Sequence, residues 1–178
     1  PFESFFMDER GKKKEFTSDT DLVIGNPPYG EHRGMYLGLG EEKGIKDYES
    51  YFIKRGLDLL KEDGTLAMVV PSGFLKGALH PAKQAISRVG QLVEAYRLPE
   101  GVFGGTQIGT DIVIFKKRGK PTIGEQLAGV KLITSDNYFT ANPTNILGEV
   151  KTRKNRFGKM ETYVDGTLDE ALALFDQY

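Results

Sequence analysis

Residues 21–30 read DLVIGNPPYG, and this stretch decides the fold. Leu22, Val23 and Ile24 form a short continuous apolar run that a glycine and a proline pair terminate, which is typical of a buried strand in a parallel sheet. In open parallel sheets, ligands and reacting groups gather at the carboxyl ends of the strands. The sequence therefore predicts that residues 26–29 lie at such an end and form part of a functional site.

Strand-like and helix-like segments alternate outward from this stretch. Apolar residues recur at helical spacing after Asp47, an N-cap residue, and Pro81 occupies a position favoured at the start of a helix. Three more apolar strands are predicted at 65–70, 92–98 and 111–117, and the last two should pair as a hairpin because no helix separates them. The alternation predicts an α/β fold, a mainly parallel sheet with helices on both faces.

The pattern weakens after residue 120. The apolar run at 130–134 predicts a short strand, and Asn142-Pro143 predicts the start of a short helix. The segment 167–177 predicts a terminal helix, with Thr167 and Glu170 as a capping box.

Composition excludes several classes of protein and site. The 24 Lys and Arg nearly balance the 25 Asp and Glu, so contact with a nucleic acid must rest on a local surface. With no cysteine and two histidines, His32 and His80, no metal site is expected. No apolar run approaches the roughly 20 residues of a membrane span, and no signal sequence opens the chain. We therefore expect no membrane partner and a cytoplasmic location.

The tetrapeptide at 26–29 suits a planar substrate that carries an exocyclic amine. Its two prolines fix φ at two positions and remove two N–H donors, so the backbone carbonyls of Asn26 and Pro27 should have fixed directions. Asn26 adds an amide oxygen, and Tyr29 adds a flat aromatic face. Oxygens that accept both amino hydrogens leave the nitrogen lone pair more available, so attack on a positioned electrophile needs no strong base. The structural alternative is a proline-rich turn after a core strand.

The motif resembles motif IV of amino-methyltransferases that use S-adenosylmethionine, and its NPPY form is typical of adenine-N6 DNA methyltransferases. The order of later segments is similar too, since 47–75 resembles motifs V and VI and 98–118 resembles the motif VIII hairpin. The stretch YFTANPTNILGE at 138–149 resembles large methylase–helicase polypeptides of phages and mobile elements. The resemblance implies a partial Rossmann-like sheet, namely strands 4 to 7 of the family order with the last strand antiparallel.

The resemblance also implies roles for single residues. Asn26 and the carbonyl of Pro27, held by Pro28, would bind the target amine, and Tyr29 would stack on a flipped adenine. Phe103 matches the aromatic residue that packs on the other face of the base, although a loop anchor packing on the sheet is the alternative for this residue. Extrusion of a base from a duplex costs a few kcal/mol, and stacking of roughly 1–3 kcal/mol per base can offset that cost.

The family's cofactor motifs do not occur in this sequence. No strand with a glycine-rich turn precedes residue 21, so we expect 1–120 to be the C-terminal half of a methyltransferase catalytic domain, carrying motifs IV to VIII. We expect 121–178 to be an extension that packs on it or leads to a further domain. S-adenosylmethionine, with Asn26 beside it, would bind the intact parent and bind this chain weakly or not at all. The open sheet edge should pair with the missing N-terminal half or with another copy.

A basic run near the C-terminus offers a contact for DNA. Lys151, Arg153, Lys154 and Arg156 occur with no acidic residue between them. They are candidates for binding phosphate groups, which positions a duplex without reading its sequence. A solvated face is the alternative.

The leading hypothesis is methyl transfer from S-adenosylmethionine to the exocyclic amine of adenine in DNA. The intact parent would be a site-specific enzyme, and this chain would be its base-handling half, inactive alone. A protein glutamine-N5 methyltransferase is one alternative, because that family also uses NPPY for a planar amide. A non-catalytic methyltransferase-like fragment or anti-restriction module is the other.

Overall fold

The computed structural model describes residues 18–30, 45–103 and 107–177. The strands are β1 (Thr20–Gly25), β2 (Leu60–Pro71), β3 (Gly90–Arg97), β4 (Thr110–Lys117), β5 (Glu149–Lys154) and β6 (Met160–Asp165). The helices are α1 (Tyr48–Leu59), α2 (Gly73–Lys76), α3 (Pro81–Ser87), α4 (Ile123–Leu132), α5 (Asn137–Ala141) and α6 (Leu168–Phe175), with a 3₁₀ turn at Pro143–Asn145.

The main sheet has the order β1-β2-β4-β3. Strand β1 is parallel to β2, with Ile24 opposite Ala67, whereas β4 is antiparallel to both of its neighbours, with Ile114 opposite Ala67 and Ile112 opposite Tyr96. Three strands thus run one way and β4 runs the other. This confirms the predicted α/β fold with an antiparallel last strand. Parallel pairing is confined to β1 and β2 among the described strands because β4 inserts between β2 and β3.

The two faces of the sheet bury different clusters. Val113 and Phe115 of β4 face a core shared with α1 and α3, while the alternate residues Ile112 and Ile114 contact a smaller cluster around Tyr96 and α6. Each fully buried aliphatic or aromatic side chain contributes about 1.5–3 kcal/mol relative to an exposed one. The completely buried members of the larger core include Ile53, Leu57, Leu60, Leu66, Val70, Leu75, Ile86, Val113 and Phe115.

Local sequence signals explain where the helices begin. The Asp47 carboxylate accepts a hydrogen bond from Ser50 N at 2.9 Å at the start of α1, and Pro81 occupies the first turn of α3. The predicted capping box of Thr167 and Glu170 is present at the start of α6. These three predicted helix starts are confirmed.

The predicted strand at 130–134 is wrong. Helix α4 runs to Leu132, and its start carries a capping box in which Thr122 and Glu125 each bind the other's backbone N–H at 3.1 Å. A run of five residues is too short to separate strand from helix by periodicity, and the upstream capping box decides for helix.

Residues beyond 120 contact the main sheet through backbone and side-chain hydrogen bonds. Leu147 N donates to Arg97 O at 2.8 Å, and Asn145 Nδ2 donates to Ala95 O at 3.0 Å. Glu100 N donates to Val164 O at 2.9 Å, which attaches the β5–β6 hairpin to the loop after β3. The hairpin therefore lies at the end of the sheet where β3 finishes and β4 begins.

Strand β1 borders the main sheet, since within the described residues it pairs with β2 alone. Its side chains Leu22 and Ile24 are 51% and 73% exposed, although Val23 between them packs on the core. An edge strand with exposed apolar side chains is a surface on which another chain segment can pair. None of the described helices is long and apolar enough to cross a membrane.

Candidate active site

The loop 26–29 leaves the carboxyl end of β1, as predicted, with Pro27 buried and Asn26 and Pro28 exposed. The hydroxyl of Tyr29 donates a hydrogen bond to Asn26 Oδ1 at 3.2 Å, which orients the amide oxygen. Burial and then the nearby Glu49 raise the pKa of Tyr29, so the phenol stays protonated and remains a donor at neutral pH.

The first turn of α1 holds the far end of this loop. Gly30, at φ +95°, accepts a hydrogen bond from Tyr48 N at 2.8 Å and donates its own N–H to Glu49 Oε2 at 3.3 Å. Burial raises the pKa of Glu49, and the bond from Gly30 opposes that rise. Sequence reasoning missed Glu49, because acidic residues are common in the first turn of any helix and give no specific signal.

A cavity of about 410 Å³, here called the NPPY cavity, opens beside the loop. Its described lining consists of Asn26, Pro27, Pro28, Tyr29, Phe103, Ile108 and Thr110. The structure thus brings the predicted Phe103, 53% exposed, to the same cavity as the motif, across 74 or more residues of chain. The volume lies within the range of about 300–1,000 Å³ typical of small-molecule sites.

Two features of the NPPY cavity were not apparent from the sequence. Thr110 lines it, and Thr110 Oγ1 is buried with no hydrogen-bond partner among the described residues. Ile108 supplies an apolar wall and is 47% exposed. A buried hydroxyl without a hydrogen-bond partner destabilises the fold. A hydrogen bond between a ligand and Thr110 Oγ1 should therefore contribute more binding free energy than one to a solvent-exposed hydroxyl.

A buried ionic network lies next to Thr110. Asp111 accepts from Arg97 Nε at 2.9 Å, from Arg97 Nη2 at 3.0 Å and from Ser72 Oγ at 2.8 Å. Arg97 also binds Asp136 through Nη1 and Nη2 at 2.9 and 2.8 Å. The network joins the ends of β2, β3 and β4 and therefore fixes the backbone on which Thr110 stands.

Two further cavities continue from the NPPY cavity toward the β5–β6 hairpin. A cavity of about 280 Å³ shares Ile108 with it and has Gln107, Arg153 and Glu161 in its wall. A third, of about 420 Å³, shares those three residues and reaches Phe157. Together they form a groove, here called the hairpin groove, from the motif to the hairpin tip.

The four basic residues predicted to contact phosphate fall into two pairs. Lys151 forms an ion pair with Asp165, and Arg153 binds Glu100 at 2.6 and 2.8 Å and Glu161 at 3.0 Å. Lys154 and Arg156 form no ion pair with a carboxylate in the described part of the chain. Among residues 18–30, 45–103 and 107–177, no carboxylate therefore compensates the positive charge of Lys154 and Arg156.

Comparison with known proteins adds a family and several relatives. A sequence profile described as Eco57I restriction-modification methylase matches residues 3–103. The chain is 28% identical over 169 residues to "Defense against restriction protein B" of Escherichia phage P1, covering 84% of this chain and 7% of that protein. It is 34% identical over 116 residues to the type II methyltransferase M.TthHB8I of Thermus thermophilus, covering 56% of this chain and 27% of that protein.

A solved structure is similar at lower identity. The type I restriction-modification methyltransferase subunit from Streptococcus thermophilus is 20% identical, with a TM-score of 0.46, and the match covers 74% of this chain and 37% of that subunit. The chain thus spans less than two fifths of the length of each of these three proteins.

Proposed function

The chain belongs to the Eco57I restriction-modification methylase family, and from this premise we propose that it is the base-handling half of a DNA methyltransferase that modifies the exocyclic amine of adenine. The observation that carries the proposal is the NPPY cavity, whose lining brings Asn26 and Pro27, which carry the amide and carbonyl acceptors, together with the aromatic residues Tyr29 and Phe103. Those are the groups that a flat base with an amino group requires.

The residues of this chain act on the base by binding and orienting it. Asn26 Oδ1 and the carbonyl oxygen of Pro27 accept the two hydrogens of the amine, and the Tyr29 hydroxyl keeps Asn26 Oδ1 in place. Tyr29 and Phe103 hold the ring system by stacking. With both N–H bonds directed at acceptors, the nitrogen lone pair points away from them toward an incoming methyl group.

S-adenosylmethionine would supply the methyl group, but the described residues do not fit it as a complete site. Asn26 is available beside the base, but the described carboxylates near the ends of β3 and β4 are already bound. Arg153 binds Glu100, which follows β3, and Arg97 binds Asp111 at the start of β4, so neither is free to hold a ribose. We therefore propose that another segment holds the cofactor and pairs with the open edge of β1, covering Leu22 and Ile24. The chain alone would then be inactive.

The test is fluorescence of 2-aminopurine placed at the target position, with the intact parent polypeptide and a duplex whose modified adenine has first been mapped by sequencing. The probe brightens when it leaves the base stack and is quenched when an aromatic ring stacks on it. Tyr29→Ala and Phe103→Ala should each brighten the bound signal and weaken binding by roughly 1–3 kcal/mol. Leu79→Ala is the control, because Leu79 is 52% exposed, like Phe103 at 53%, and lies outside the cavity.

The outcomes separate the roles of the two rings and the competing function. A signal that changes with Tyr29→Ala alone makes Phe103 a loop anchor. A signal that changes with neither variant contradicts base flipping, and protein glutamine then becomes the substrate to test, since a glutamine side chain has no π face.

Asn26→Ala tests the acceptor directly. Single-turnover methylation should fall about a hundredfold or more, as for removal of other polar contacts to a transition state, while folding is unchanged. A rate within about threefold of the wild type would contradict the role of Asn26.

A further inference from the structure

The tip of the β5–β6 hairpin, residues 155–159, is a rigid loop built around one asparagine. Asn155 Oδ1 accepts from Phe157 N at 2.9 Å and from Lys159 N at 3.0 Å, while Asn155 N donates to Lys159 O at 2.8 Å. Gly158 N donates to Asn155 O at 2.9 Å, and Gly158 has a φ of +75°, which favours glycine. The loop is therefore preorganised, although it takes no part in binding the target amine.

This rigid tip presents an aromatic ring to solvent. Phe157 is 73% exposed, and the Arg156 guanidinium lies 4.8 Å from the centre of its ring. A single exposed apolar side chain is common on protein surfaces and by itself indicates nothing. Here the ring is held at the end of a preorganised hairpin, which gives it a defined direction of approach to a partner.

The charge around Phe157 selects the kind of partner. Lys154, Arg156 and Lys159 surround the ring in sequence, and none of them forms an ion pair with a carboxylate in the part of the chain that the structure describes. Closer to the base of the same hairpin, Lys151 is neutralised by Asp165, so the cations of the hairpin that lack an ion pair with a described carboxylate lie in the tip and directly beside it. An exposed ring that stacks with one cation and has two more beside it in the hairpin complements a polyanion that also has flat faces.

The hairpin groove connects this tip to the NPPY cavity. The third cavity includes Phe157, Lys154 and Arg156 in its lining, and it joins the second through Gln107 and Arg153. A nucleic acid whose target base enters the NPPY cavity would continue along this groove to the tip.

We propose that the hairpin tip is a DNA wedge, in which Phe157 inserts between stacked base pairs beside the target adenine while Lys154, Arg156 and Lys159 bind the adjacent phosphates. The inference rests on the proposed function, because it requires duplex DNA as substrate. Apolar wedges of this kind unstack a base step and kink the duplex by about 20–90°. Unstacking next to the target lowers the cost of extruding it, which is a few kcal/mol.

The test measures bending of the duplex and affinity for it in separate experiments. It uses the intact parent polypeptide and the same duplex as the 2-aminopurine experiment, in which the modified adenine has been mapped. Fluorophores at the two ends of the duplex report bending by energy transfer. At saturating protein, the wild type should shorten the end-to-end distance, Phe157→Ala should abolish the shortening, and Phe157→Leu should retain most of it because leucine also serves as a wedge. Ile123→Ala, which removes an apolar side chain of 76% exposure from α4, is the matched control and should bend the duplex like the wild type.

Affinity tests the cationic part of the tip. Phe157→Ala should weaken binding roughly 5- to 150-fold, the range expected for loss of one stacked base. Lys154→Ala and Arg156→Ala should each reduce the slope of log K against log salt by about 1, whereas Lys131→Ala on α4 should not change it.

The other outcomes contradict the inference, and they distinguish a failure of the wedge from a failure of the proposed function. If the wild type binds the duplex and Phe157→Ala bends it equally, the wedge is wrong, while a 2-aminopurine signal that still responds to Tyr29→Ala leaves the proposed function intact. Salt slopes unchanged by Lys154→Ala and Arg156→Ala would likewise refute the phosphate contacts. If the wild type does not bind duplex DNA at all, the wedge and the proposed function both fail.

Discussion

Replacing Asp111 by Ala should destabilise the fold by about 3–5 kcal/mol, because the substitution leaves a buried cation without its principal partner. The Asp111 side chain is fully buried, and the Arg97 side chain is 5% exposed. Two hydrogen bonds from Arg97 and one from Ser72 end on this carboxylate. After the substitution, Asp136 is the one carboxylate among the described residues that still binds Arg97, and Ser72 Oγ loses its acceptor.

The second partner of Arg97 provides the internal comparison. Asp136 has a side chain that is 33% exposed, so solvent screens its ion pair and a loss of about 1 kcal/mol is expected from Asp136→Asn. Asparagine tolerates the left-handed conformation of this position, φ +58°, so the substitution adds no backbone strain. Asp111→Ala should therefore exceed Asp136→Asn by about 2 kcal/mol or more.

Urea unfolding followed by circular dichroism and tyrosine fluorescence measures both changes, with Asp19→Ala, an exposed carboxylate, as the control. If Asp111→Ala fails to fold, the double variant Arg97→Met/Asp111→Leu keeps the reasoning testable, because apolar residues of similar volume replace a buried ion pair at little cost. That double variant should recover at least half of the loss. A free energy of unfolding for Asp111→Ala within about 1 kcal/mol of the wild type would refute the reasoning.

Three further measurements test the core, a buried lysine and the cofactor. Gly56→Ala should destabilise by about 1–3 kcal/mol in urea unfolding, because the added Cβ would lie 2.5 Å from Leu66 Cδ1 and 3.3 Å from Val23 Cγ1, whereas Gly73→Ala, with nothing within 4 Å, should change little. Burial lowers the pKa of Lys83 from 10.5 to about 8, so the unfolded state holds the extra proton between those values. The free energy of unfolding of the wild type relative to Lys83→Met should therefore rise as the pH is raised from 8 to 10.5, and a flat difference would contradict the burial of a charge. Calorimetric titration of the chain alone with S-adenosylmethionine should show weak or no binding, and a dissociation constant in the low micromolar range, about −8 kcal/mol, would contradict the proposed division of the cofactor site.

The features that could be predicted from the sequence are those with short-range causes. Strand β1 and the loop at 26–29 follow from an apolar run bounded by glycine and prolines, and α6 follows from the capping box of Thr167 and Glu170. The resemblance of 21–30 to amino-methyltransferases is confirmed by the family match, which includes this stretch. Each of these signals is contained in about ten residues or fewer, and the tertiary contacts of the described residues agree with it.

The ion pairs of the β5–β6 hairpin could not be predicted from the sequence. Glu149 is the one acidic residue of strand β5 and lies 3.9 Å from Lys151, whereas Asp165 and Glu161 reach Lys151 and Arg153 through strand pairing. Glu100 approaches Arg153 from the loop after β3. Asp165, Glu161 and Glu100 come from 8 to 53 positions away, so the register of the hairpin and its docking on the sheet define these contacts. Lys154 and Arg156 lie beyond Glu161, the last carboxylate of the hairpin that forms an ion pair, which is why no carboxylate of the described residues reaches them.

The NPPY cavity is lined by residues inside the family match and by residues that follow it in the chain. The matched region ends at residue 103, but Ile108 and Thr110 line the cavity together with Asn26 and Tyr29. Thr110 begins β4, and the next residue of that strand is bound through Arg97 to Asp136, in the segment beyond 120. Because one buried ionic network holds both the cavity wall and that segment, a loss of the segment should disturb the site even though the motif is untouched. The NPPY loop alone is therefore insufficient to build the proposed base-binding site.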